Sequence, residues 1–525
     1  MEHTPKDSKR SIPPPRLDPS PDDSSVRERL LRPLTESEMD ALAFVAAVYE
    51  RMRHHEGPAF HKAAVTCLHT GTPDGDDPAA WPTGIERRGE GASSAVRRHA
   101  VRLADRWRRQ GIWGLTWREG KAPAGFEGCG PAVFFGIGPW PGATQRMAVF
   151  NSRKSRQIDP EAEWLQDLRE VLSDSASRGF GLAASRGTLT YDLVAAYAAA
   201  ASLPLLFVMA EPIERLFMDQ PHLSALESRM SSSTTMLSCR CASVSCPKVT
   251  SLLCRDRLLA LLADVYCVLQ LRPGGNLERI LDESRRLAPR PRWILPPHRP
   301  KEKGEIAQTR LFLPSPASQP ALSIPHIVSI RSVDWPAYLT HYTRSCPGPW
   351  PGETADDYLQ SLLQGLPLSG HTALDTLIRI FCDGRLRAGA RLTRGSDATI
   401  SWTSRPPHDL PALKRWNRAL GRWTAEPYGI AVNRGLLRRL GTKPSIYADA
   451  ACYERLKPRD RFRFQKHEPP RCLWKHEREW RLRGDLLLEG ISPAEALVVV
   501  PDEEAARRLL DFTDCPFPLV LLNEV

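Results

Sequence analysis

No apolar run in this 525-residue chain is long enough to cross a bilayer: the most apolar, Ala195 to Ala210, is too short and is broken by Ser202. The opening MEHTPKDSKR lacks the apolar core of a signal peptide, so a cytoplasmic protein with no membrane partner is expected. Paired Cys-x-x-Cys knuckles are missing too. The 12 Cys are scattered over the length, which fits reduced thiols and excludes a disulfide framework. One cluster, Cys239, Cys241, Cys246 and Cys254, lacks the usual ligand spacing, and no metal is expected. Lysine is scarce beside arginine. An arginine excess arises from genome composition as readily as from phosphate binding, so the net charge of +11 does not by itself define a partner.

What is present describes an ordinary globular chain, with 42% hydrophobic and 25% charged residues, too long for one core. Residues 1–35 are rich in Pro, Ser and charge and read as a disordered tail. Residues 36–144 read as helical and irregular. There Thr35 and Glu38 have the spacing of a capping box, and a second helix with a basic face runs from about Ser93 to Gln110. A Pro-rich linker is expected over 298–330, separating an α/β domain at 145–297 from an α+β domain at 331–525.

Within 145–297, strand-like and helical stretches alternate, with small residues after the strands, as in a parallel sheet of Rossmann type. The strands end in Asn151-Ser152-Arg153, in Ser185-Arg186-Gly187-Thr188 and before Pro273-Gly274-Gly275-Asn276; an Arg255-Asp256-Arg257 helix lies between the last two. This ordered set resembles the nucleotide-binding Rossmannoid superfamily that includes the DNA-processing protein A fold and the lysine-decarboxylase-like phosphoribohydrolases, often called SLOG domains. The resemblance implies a nucleotide ligand held by Ser152, Arg153, Ser185, Gly187, Thr188, Gly274, Gly275 and Asn276. Family members that hydrolyse nucleoside monophosphates carry Pro-Gly-Gly-x-Gly-Thr and then a Glu. Here Pro-Gly-Gly is followed by Asn276-Leu277-Glu278, off that spacing, which favours nucleotide sensing over hydrolysis.

In the C-terminal part, strands are expected at Tyr338–Arg344, Thr399–Ser404, Tyr428–Val432, Ser445–Tyr447, Leu473–Arg483 and Ala496–Val500. Read as a strand, Leu473–Arg483 puts Glu477 and Glu479 on one face with Lys475 and Arg481 in line. A solvated edge strand gives the same pattern, whereas two carboxylates on one side also suit a ribose diol and a cationic sugar transition state. The series resembles ADP-ribosyltransferase-like domains, including bacterial DNA-targeting toxins and phage-defence families. That resemblance implies NAD as substrate, with His341 on the adenosine ribose and Arg344 on the pyrophosphate. Ser401, Thr403 and Ser404 would shape the nicotinamide pocket, Tyr342 or Trp402 would stack on it, Glu479 would be catalytic and Glu477 would activate the acceptor. Having both His341 and Arg344 departs from the family, whose subclasses rely on one of the two.

The leading expectation is a nucleotide-sensing effector that consumes NAD as transferase or glycohydrolase, with a protein or nucleic acid as acceptor. The competing readings are a non-catalytic nucleotide-binding regulator and a phosphoribohydrolase acting in the N-terminal half. The NAD reading requires His341, Arg344, Ser401, Thr403, Glu477 and Glu479 to converge on one cleft, and a structure that places Glu479 on the opposite face of the sheet from His341 sinks it in that form. It also expects Glu479→Gln to leave the fold intact.

Overall fold

The structure is a computed structural model that describes residues 31–52, 91–117, 133–139, 144–152, 158–217, 232–238, 248–287, 292–293, 327–390, 393–417, 421–469 and 474–523. The chain divides into two compact units, one of residues 1–154 and 163–297, the other of 155–162 and 298–525.

In the first unit nine strands form one sheet: β1 (Leu31–Pro33), β2 (Trp113–Trp117), β3 (Val133–Ile137), β4 (Arg146–Phe150), β5 (Gly181–Ala184), β6 (Leu205–Met209), β7 (Thr234–Ser238), β8 (Val265–Val268) and β9 (Arg292–Trp293), in the order β1-β2-β3-β7-β6-β5-β4-β8-β9. The strands from β7 to β9 in that order are parallel, and β1, β2 and β3 extend the sheet antiparallel. Strands β4, β6 and β7 are buried along their whole length, as parallel strands covered on both faces must be. Helix Glu163–Ser177 supplies part of that cover through Leu165, Leu168, Val171 and Leu172, which recur at helical spacing. The chain leaves β4 towards β5, β6 and β7, then returns to place β8 on the other flank of β4. The crevice at the carboxyl ends of β4 and β8 is therefore the switch point where such sheets take ligands.

Two expectations change here. Leu31–Pro33, assigned by composition to a disordered tail, pairs with β2 as a strand, and residues 36–144 contribute β2 and β3 to the same sheet instead of being only helical and irregular. The capping box forms as read: Thr35 Oγ1 accepts the Glu38 N–H at 3.2 Å and Glu38 Oε2 accepts the Thr35 N–H at 2.8 Å.

The second unit is built on a seven-stranded sheet of β10 (Tyr338–Tyr342), β11 (Thr399–Thr403), β12 (Gly429–Asn433), β13 (Lys443–Pro444), β14 (Glu479–Arg483), β15 (Ala496–Val500) and β16 (Leu519–Leu521), ordered β13-β14-β11-β10-β12-β15-β16. Every neighbouring pair is antiparallel except β15 and β16. One face is apolar: Leu339, Ile400, Trp402, Ile430, Val432, Leu482 and Val498 pack with Leu374, Leu377 and Ile378 of helix Ala373–Cys382. The other face is split. Ala431, Leu497, Val499 and Val520 are covered by Ile330 and Trp335, whereas across β10, β11 and β14 the same face carries Thr340, Ser401, Thr403, Glu479 and Arg481. Residues 327–330, expected at the end of the linker, belong to this fold: Val328 N–H donates to Leu519 O at 2.9 Å and Ile330 is buried.

Candidate functional site

The polar strip follows from strand register. Thr403 lies opposite Glu479 on β14 and opposite Thr340 on β10, and Ser401 lies opposite Arg481. Side chains opposite one another share a face, so these residues stand together while Leu339, His341, Ile400, Trp402, Trp480 and Leu482 face the other way.

Glu479 is fixed on all sides. Its Oε1 accepts the Ser401 hydroxyl at 2.7 Å and Arg481 Nε at 2.9 Å, and its Oε2 accepts Arg481 Nη2 at 3.1 Å. Only 8% of its side chain and 4% of that of Arg481 is exposed. Arg481 is held in turn by the carbonyls of Phe464 at 2.6 Å and Phe462 at 3.1 Å and by Gln465 Oε1. The Tyr447 hydroxyl accepts the Glu479 N–H at 2.7 Å; burial, then the nearby Glu479 and Glu477 charges, push that phenol up to about 12.

Glu477 differs from the expected strand position. It ends the 3-10 turn Lys475–Glu477, and Arg478, left-handed at φ 47°, separates that turn from β14. Thr403 Oγ1 donates to Glu477 O at 2.6 Å and Ser404 N–H to Arg478 O at 3.3 Å, so Thr403 and Ser404 hold the turn in place and leave Ser401 to contact Glu479. The half-buried Glu477 carboxylate has no hydrogen bond or ion pair among the described residues. Burial first, and the Glu479 charge second, raise its pKa to about 7 against the opposing pull of Arg344, Arg481 and Arg415.

Arg344 follows β10. Its carbonyl accepts Thr376 Oγ1 at 3.1 Å, and the next residue, Ser345, donates its N–H and hydroxyl to Glu426 Oε1 at 2.7 and 2.9 Å. The guanidinium, also without a hydrogen bond or ion pair among the described residues, is lowered in pKa by burial and raised by the charges of Glu477, Glu479 and Glu426. Arginine stays charged under such a shift.

His341 does not join them. It lies opposite Ile430, with its ring edge-on to Trp402 at 5.8 Å and its Nδ1 at 2.8 Å from Ser401 O. Burial takes its pKa down to about 4, so it is neutral at pH 7. Glu479 and His341 thus lie on opposite faces of the sheet, so the expected convergence fails and the NAD site that included His341 is lost, because one residue along a strand reverses the face. Neither aromatic is a stacking platform: Trp402 is 1% exposed in the core, and Tyr342 is 6% exposed among Leu410, Leu413 and Ala425. Arg481, Tyr447 and Glu426 went unassigned in the sequence; only Arg481 had a signal, its even spacing from Glu479.

In the first unit Ser152 and the segment after β8 meet: Ser152 N–H donates to Gln270 O at 2.8 Å and its hydroxyl accepts the Arg272 N–H at 2.7 Å. Gly274, at φ 69°, donates its N–H to Glu278 Oε2 at 2.7 Å, Gly275 N–H donates to Arg272 O at 3.0 Å, and Asn276 opens helix Asn276–Leu287. Gly187 is at φ 90° and Thr188 caps helix Leu189–Ala200. Behind this turn Arg255 Nη1 donates to Arg186 O at 2.7 Å while its other nitrogens hold Asp256 at 2.6 and 2.9 Å. Ser185 is turned inward, its hydroxyl tying β5 to Val208 O at 2.6 Å. Asn151, unassigned in the sequence, is 5% exposed at the end of β4, and neither atom of its side-chain amide has a partner among the described residues. Arg153, Cys239, Cys241 and Cys246 lie outside the described residues, and Cys254 is buried.

The two sheets define a multidomain α/β protein in which no helix among the described residues is long and apolar enough to cross a membrane. No family model and no curated protein matches the chain. Among solved structures it is similar to DNA processing protein A from Helicobacter pylori, described for its single-stranded DNA binding mode, at 18% identity and TM-score 0.25 over 34% of this chain and 80% of that one. DNA processing protein A from Streptococcus pneumoniae gives 11% identity and TM-score 0.30 over 48% and 85%. At these scores the likeness adds no argument to the strand order.

Proposed function

We propose that the C-terminal unit cleaves NAD at its nicotinamide–ribose bond, as transferase or glycohydrolase, and that the N-terminal unit binds a regulatory nucleotide. The observation that carries this reading is a buried carboxylate, Glu479, locked by Ser401 and Arg481, with two charged groups, Arg344 and Glu477, that have no hydrogen bond or ion pair among the described residues and whose charges bear on each other. Arg344 suits a bidentate phosphate contact. Glu479, already oriented, places negative charge where an oxocarbenium ion develops as nicotinamide leaves. Glu477, titrating about pH 7, takes the proton of the attacking acceptor hydroxyl.

Nicotinamide release from NAD by the purified chain, with and without added nucleotides, tests the proposal, and no release under any condition ends it. Because only the carboxylate form of Glu477 accepts a proton, transfer is expected to rise with pH through about 7. Glu477→Gln is expected to flatten that profile and to reduce transfer about a hundredfold, sparing hydrolysis more. A wild-type profile retained in the variant would free Glu477 of this role.

For the N-terminal unit the support is the crevice between β4 and β8, where Ser152 meets the 270–276 segment and the amide of Asn151 is buried without a partner among the described residues. A Cβ on Gly275 would come within 2.9 Å of Arg272 O. Gly275→Asp is therefore expected to lower the melting temperature and to weaken nucleotide binding at least about tenfold, since it sets negative charge beside a helix N-terminus. Calorimetric titration with mono-, di- and cyclic nucleotides measures this, and equal affinity in the variant would remove the 274–276 turn from the site.

One observation favours a second reading. Both oxygens of Glu479 are engaged by Arg481 or Ser401 and the pair is buried, as in a structural ion pair of a catalytically silent nucleotide-binding domain. NAD binding without nicotinamide release would select it.

A further inference from the structure

We propose that the short ribbon formed by Trp416–Asn417 and Arg422–Trp423 is a platform for single-stranded nucleic acid. The two tryptophans are opposite one another in the ribbon, their rings edge to face at 5.4 Å, and Trp416 keeps 44% of its surface exposed. The Lys414 ammonium lies 5.1 Å over the Trp423 ring. Lys414 and Arg415 are exposed and have no carboxylate partner among the described residues, unlike Arg405, Arg463 and Arg507 of the same unit, which pair with Asp409, Asp460 and Glu503.

The ribbon's base is rigid. Thr424 Oγ1 donates to Leu413 O at 2.6 Å and accepts the Arg415 N–H at 2.9 Å, and Thr424 N–H donates to Arg415 O at 2.9 Å. One exposed indole, Trp416, beside two cations without a carboxylate partner among the described residues matches a strand of nucleic acid, which offers one planar base and one phosphate charge per step. An acidic peptide would use the cations and leave the Trp416 indole idle.

The test is fluorescence anisotropy of labelled oligo-dT and oligo-rU of about 15 nucleotides, the scale of single-strand sites, with the full-length chain. Binding is expected to weaken between about 50 and 200 mM salt. Loss of one stacked base in Trp416→Ala is expected to weaken it about tenfold. Arg415→Glu is expected to weaken it and flatten the salt dependence, while Arg507→Glu, which removes a paired surface charge elsewhere on the unit, changes neither. Preference for oligo-dT or oligo-rU identifies DNA or RNA as the source, and either supports the proposal. It is overturned if neither oligonucleotide binds, if Trp416→Ala binds as tightly as wild type, or if polyglutamate binds with the same Trp416 and Arg415 dependence. The assay contains no NAD, so its failure is distinct from a failure of wild-type nicotinamide release.

Discussion

Replacing Glu479 by Gln is expected to abolish nicotinamide release and to unsettle the fold of the C-terminal unit as well. The sequence alone expects an intact fold, because Gln is nearly isosteric with Glu. The ion pair reverses that expectation: Arg481, 4% exposed, would keep its charge in the interior and lose the one anionic partner it has among the described residues. Removing one member of a buried pair costs about 3–5 kcal/mol, which for a unit of this size lowers the melting temperature by roughly 6–20 °C. Activity falls independently, because the amide cannot carry the charge that meets the oxocarbenium ion, a loss on the order of a hundredfold or more. Thermal melts followed by circular dichroism, beside the nicotinamide assay, separate the two effects. An unchanged melt would mean that the pair adds nothing to stability, and full turnover would take Glu479 out of the chemistry.

Arg344→Gln is expected to raise the KM for NAD by about a hundredfold and to move the pH midpoint of transfer above about 7. The first effect is the loss of a charge-assisted contact to phosphate, worth about 1.5–3 kcal/mol. The second follows from the neighbours of Glu477: among the charges that lower its pKa Arg344 is the largest, so its removal makes the carboxylate form harder to reach. Profiles of kcat/KM against pH report the free enzyme and show the shift directly. A variant with the KM and midpoint of the wild type would leave Arg344 without a role at the site.

The sequence was most legible where structure is local. The capping box at Thr35 and Glu38, the strands carrying Ser401 and Glu479, and the alternation that yields the parallel part of the first sheet were all readable from spacing. Contacts distant in sequence were not. β1 pairs with residues more than eighty positions away, and nothing in Leu31-Arg32-Pro33 marks it as a strand. Glu477 was placed by assuming that the alternation continues through Arg478, but that residue takes a left-handed conformation usual for Gly and rare for Arg, so no residue type announced the break. The choice between His341 and Arg344 required the register of β10 against β11, a single pairing of Thr340 with Thr403, which composition does not encode.

The alternation on β11 and β14 is also a matter of parity. Odd-numbered residues there, Ser401, Thr403, Glu479 and Arg481, build the site, and even-numbered ones, Ile400, Trp402, Trp480 and Leu482, build the core. Loss or gain of one residue inside either strand exchanges the two sets, sending a carboxylate into the core and an indole into the site. The strands tolerate changes only in steps of two, and the turn before β14, which carries Glu477 and is tied to Thr403 and Ser404, is bound to the same register. Core and chemistry in this unit are thus inherited together, and a relative that kept one while shifting the other by a single position would keep neither.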